Sequence, residues 1–165
     1  MLTLEFWEGS FLVGKWYTLL CWADMRLRLQ YPPTPKNAAR HAQLAVETAH
    51  DVDGIELDYS PESLAQIDRI ITSFHAEGLQ PGQIGETVFS FGCYVGEIFV
   101  RHHGGVWKMP VDTTLPDELK DANMMVIEMP NGDVWNPIGK TFKLLENGKV
   151  DSVVYFHYIA VKEKG

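Results

Sequence analysis

The stretch from Pro81 to His103 constrains the fold more than any other part of the sequence. Ile84, Val88, Phe91, Val95 and Ile98 recur at helical spacing, and Phe89, Cys93 and Phe99 make the remaining sides apolar too. A helix that is apolar all round must be enclosed by other elements, so the stretch predicts a central helix inside a single core. Pro81 suits the first helical position, where its missing N–H is harmless, and Gly104-Gly105 ends the run. Gly85, Gly92 and Gly96 interrupt it, each costing roughly 1 kcal/mol of helix propensity relative to Ala. Gly92 and Gly96 lie four apart on one face, and we read them as a device that lets a neighbouring element approach closely.

The elements before this helix have local signals of unequal strength. Residues 11–24 (FLVGKWYTLLCWAD) are apolar almost throughout, which fits either a buried helix or a strand. Met25 to Tyr31 alternates apolar and polar residues in a strand-like pattern, although Leu20 and Leu27 would also suit a continuing helix, and the prolines at 32, 33 and 35 make a rigid connector after it. Asn37 is placed to cap an alanine-rich helix over 37–50. Ser60-Pro61-Glu62 combines an N-cap, a first-turn proline and an acid at the positive helix end. A helix is therefore expected from Pro61, with Leu64, Ile67, Ile71 and Phe74 inward, Asp68, Arg69, Thr72 and Ser73 outward, and Gly78 closing it.

After Gly105 the pattern changes to short strands and turns: Val106 to Pro110, Met124 to Met129 and Val134-Trp135, with Asn131-Gly132 as the hairpin turn. Pro137 to Leu145 reads as a short helix closed by Asn147-Gly148, and Ser152 to Val161 as a final helix or strand. The expected architecture is a single α+β domain over residues 1–165, its N-terminal two-thirds helical and packed on a small antiparallel sheet. Within it, 1–36 is an N-terminal segment, 37–104 is helical, and 105–165 holds the hairpin and terminal elements. At 165 residues, with 45% hydrophobic residues, such a chain buries enough core to fold without metal or disulfide, so no cofactor is expected.

Charge narrows the partners. The formal net charge is −8, and it is not evenly spread: residues 1–50 carry 4 acids and 5 bases, 51–100 carry 9 and 1, and 101–165 carry 9 and 8. Asp51, Asp53, Glu56, Asp58 and Glu62 crowd into twelve residues beside Tyr59. A nucleic-acid ligand is not expected, because phosphates demand a basic face, whereas this cluster suits a basic protein. Cys21 and Cys93 lie in apolar surroundings and read as reduced thiols, which with acids at Glu5 and Glu8 and charges interrupting the first apolar run predicts a cytoplasmic protein with no membrane span.

Motifs for chemistry are weak. Around Asp51-Val52-Asp53-Gly54 a calcium loop would place Ala49 and Ser60 at its first and last ligand positions, so it fails, and His102-His103 diverge as neighbours on a helix. No metal site is expected. Cys93 sits mid-helix, an unsuitable place for a nucleophile, and neither a GxSxG elbow, a P-loop nor a GxGxxG motif is present. Glu97 is the one acid inside the apolar stretch: it either pairs with Arg101 at i+4 or lines a ligand pocket with Tyr94, Trp107 and Trp135. In that second case Glu97, Arg101 and His102 are the candidate catalytic groups of a small enzyme. The segment 11–24 could also serve an accessory subunit as a partner surface.

The stretches at 57–64 (LDYSPESL), 91–97 (FGCYVGE), 104–107 (GGVW) and 136–140 (NPIGK) together resemble a family of small uncharacterised bacterial proteins over roughly residues 37–160. The resemblance implies no catalytic residue. In size and charge the chain is also similar to immunity proteins that block a cationic toxin, often a nuclease. The expectation is thus a non-enzymatic protein that binds a basic partner through Asp51, Asp53, Glu56, Asp58, Tyr59 and Glu62.

Overall fold

A computed structural model describes residues 27–162. The apolar segment 11–24, Cys21 and the start of the expected strand at Met25 lie outside the described residues. The order is α1 (Ala38–Asp53), α2 (Leu64–Ala76), α3 (Pro81–His103), β1 (Val106–Lys108), α4 (Asp117–Lys120), β2 (Val126–Glu128), β3 (Val134–Trp135), α5 (Pro137–Asn147) and α6 (Val153–Lys162). Helices with a three-stranded antiparallel sheet, ordered β1-β2-β3, make this a single α+β domain.

The central helix is where the sequence places it. Every residue of α3 from Val88 to Phe99 is buried, enclosed by α1 on one side and α5 on the other. Ala38, Ala42, Ala45 and Ala49 give α1 a flat face that lies close against α3. The glycine pair does the same for the other side. A Cβ on Gly92 would stand 2.6 Å from the Ile138 Cα of α5, and one on Gly96 would stand 2.1 Å from the Trp107 ring. Backbone and indole occupy the space that side chains would fill, which offsets the propensity cost of glycine in a helix.

Three local readings are corrected. Residues 27–31 form no strand, although Leu27, Leu29 and Tyr31 do turn inward and Arg28 and Gln30 outward; the Arg28 amide donates to the Glu86 side chain (2.8 Å) instead of to a ladder. Asn37 does not cap α1 with its side chain, which donates to the Pro32 carbonyl (3.0 Å) and pins the proline loop. The hairpin turn is centred on Pro130-Asn131: the Gly132 amide donates to the Met129 carbonyl (2.9 Å), and Gly132 alone takes positive φ (90°). Pro favours that first central position of a type I turn, and a left-handed residue then follows as a bulge, so a three-residue loop replaces the two-residue one.

The sheet sits at the C-terminal end of α3. Trp107, Ile127 and Trp135 form one row across its three strands and face the core. The last segment is helical, and α6 packs on α2 and α5 through Val153, Phe156 and Ala160. Among the described residues no helix is long and apolar enough to cross a membrane.

Candidate functional site

The acidic cluster forms one exposed edge, but it is not a single loop. α1 runs three residues past the expected end at 50, so Asp51 and Asp53 stand on its last turn, with Val52 between them 74% exposed. Carboxylates are unfavourable there, because the helix macrodipole places partial negative charge at that end. His50 offsets part of this, reaching Asp51 Oδ1 at 3.1 Å and Glu56 Oε1 at 3.2 Å, and these two acids raise its pKa, the hydrogen bond it donates to Asp51 first. Asp58 accepts from the Ser60 hydroxyl (2.6 Å) and amide (3.0 Å), bonds that hold its carboxyl below the ordinary carboxylate value. Ser60 in turn caps the Pro61–Ser63 turn, accepting from the Ser63 amide, and Glu62 projects into solvent from that turn.

Tyr59 is the fixed point of the edge. Its φ of 61° lies in the left-handed region, and it is the one non-glycine residue there among those described. Such a conformation costs on the order of 1–3 kcal/mol and persists only where the surroundings enforce it. Two long-range bonds do so: the Tyr59 N–H donates to the Tyr94 hydroxyl (2.8 Å), and His102 Nε2–H donates to the Tyr59 carbonyl (2.8 Å). The Tyr94 hydroxyl also bonds Ser63 Oγ at 2.6 Å, tying α2 to α3 at the same point. The Tyr59 ring lies 4.7 Å from that of Tyr94, with the Arg101 guanidinium 3.5 Å from its centroid.

Tyr94, Trp135, Glu97 and Trp107, the residues of the alternative pocket, are 0%, 1%, 6% and 8% exposed and belong to the core. Glu97 Oε1 accepts from Trp107 Nε1 (3.0 Å) and Oε2 faces Arg101 Nε at 3.4 Å, so the i+4 pair forms and both oxygens are engaged. Trp135 is two strands away and packs edge-on against Phe156 (5.4 Å). Arg101 and His102, which that reading assigns to catalysis, are held by Tyr59. Cys93 is fully buried and its thiol is pushed well above the ordinary value, first by burial and then by Glu97, which leaves no accessible thiolate.

One pairing has no signal in the sequence. His103 and His157 meet Nε2 to Nε2 at 2.9 Å across 54 residues, above the Phe99 ring. Burial, then the neighbouring His103 and His102, lowers the His157 pKa to about 4 against an opposing effect of Glu62. Among the described residues no three His, Cys, Asp or Glu side chains are grouped to hold a metal ion. Comparison with protein-family models, with curated proteins and with solved structures finds no match.

Proposed function

We propose that this is a non-enzymatic bacterial protein that acts in the cytoplasm by binding a basic protein partner, in the manner of an immunity protein that neutralises a cationic toxin. Its contact is the edge formed by Asp51, Asp53, Glu56, Asp58 and Glu62, with Tyr59 as the aromatic anchor. The observation that carries this reading is the exposure of Asp51 and Asp53 on the last turn of α1, where the macrodipole opposes them and no Lys or Arg among the described residues pairs with them. Acids kept at a cost to the fold have a use outside it. The fixed backbone of Tyr59 supports the same reading, since an anchor already held in place loses little freedom on binding.

The test is the association rate with any basic protein encoded beside the gene, measured at low and high salt; a neighbourhood that encodes none counts against the toxin-neutralising reading. A rate that falls with salt is expected, and Asp53→Lys with Asp58→Lys slows it about tenfold and flattens the salt dependence. An unchanged on-rate in the double variant overturns the proposal.

A further inference from the structure

We infer a second binding site: the groove between α2 and the 148–152 turn takes a small anionic molecule, a phosphate monoester or carboxylate carried on an apolar body. The groove is open to solvent and measures about 630 Å³, a volume in the range of small-molecule sites. Its depth comes from small side chains, Ala65 and Ala76 on α2 and Ser152 opposite. Its charge comes from Arg69 and Lys149, which line it from its two sides, both exposed and neither in an ion pair among the described residues.

The acid in the groove is already committed. Asp68 accepts from the Ser152 hydroxyl and from the Val153 amide (2.7 Å), so its charge is met by the N-terminus of α6. With Asp68 occupied, the uncommitted charge facing the groove is positive. Arg69 is the only base between residues 51 and 100, and it also lines an adjoining hollow of about 260 Å³ with Asp53, yet the two are not within ion-pair distance. A guanidinium that leaves a nearby carboxylate unpaired keeps its planar fork of donors for an incoming oxyanion, which it can hold through two bonds. Thr72, which lines the same groove, carries a hydroxyl that can act as a neutral donor. Two cationic side chains and a hydroxyl beside the short side chains of Ala65 and Ala76 match an oxyanion on an apolar body and disfavour a cation.

Amide chemical shifts followed during titration with phenyl phosphate, benzoate and phenol test the site and the type of anion together. Saturable shifts confined to residues 65–76 and 148–153 are expected with one or both anions, the tighter of the two naming the oxyanion, and phenol should bind at least tenfold more weakly. Arg69→Gln with Lys149→Gln should weaken the anion at least tenfold while leaving the remaining amide shifts in place, which shows that the fold is kept. Shifts that do not saturate, that scatter over the surface, that are as strong with phenol, or that survive the double substitution overturn the inference.

Discussion

Gly92 shows how a single absent side chain sets the spacing of two helices. Because the Ile138 backbone occupies the place of its Cβ, Gly92→Ala forces α5 away from α3, and a loss of about 1–3 kcal/mol is expected in the denaturant midpoint. Gly82→Ala is the control on the same helix: nothing lies within 4 Å of its Cβ position, and the midpoint should hold or rise. The glycine spacing could be read in the sequence, but the identity of the neighbour could not, since Ile138 is brought to Gly92 only by the completed fold. Tyr59 is the opposite case. Nothing in Asp58-Tyr59-Ser60 announces a left-handed backbone, because the bonds that impose it come from Tyr94 and His102, 35 and 43 residues away.

The helices whose boundaries are written locally are the ones the sequence reveals. Ser60-Pro61 and Pro81 with Gly104 carry their caps beside them: α3 spans the residues read for it, while the helix expected from Pro61 opens with a 3-10 turn, Pro61–Ser63, and the α-helix proper starts at Leu64. Where a local pattern serves a tertiary purpose, the reading slips: the alternation at 27–31 reflects packing on one side without a neighbouring strand, and Asn37 turns from capping to hold a loop. Asp68 extends the point to α6, where Ser152 Oγ accepts from the Tyr155 amide and a different helix, through Asp68, takes the Val153 amide. Asp68→Ala therefore should cost about 0.5–2 kcal/mol and raise amide exchange first at 153–156, not within α2 itself. Equal loss of protection along α2 would contradict this. The candidate site was legible to the same degree: its acids were visible as composition, whereas the position of two of them on a helix end and the rigid aromatic at its centre depend on the whole fold.

For the molecule as a whole, histidines whose pKa is lowered by burial weaken the fold on the acid side. The unfolded chain protonates His157 near its ordinary value of 6.5 and the folded chain near 4, so stability falls as pH drops through that interval. His41, lowered by burial with its Nδ1 unpartnered among the described residues, acts in the same direction. Since His157 is only partly buried, its share is on the order of 1–2 kcal/mol after solvent screening. His157→Phe should make the unfolding midpoint less sensitive to pH between about 6.5 and 4. Asp58 and Asp151 are held below their ordinary 3.8 and lose their contribution only at lower pH, so the two effects separate in a pH series. A last consequence follows from the enclosure of α3, in the time taken to make the chain. α1 is available to cover one flank as soon as α3 emerges, but the flank at Gly92 waits for Ile138, 46 positions later. At roughly 5–20 residues per second that apolar surface stands open for several seconds on the ribosome, the interval in which the chain is most exposed to aggregation.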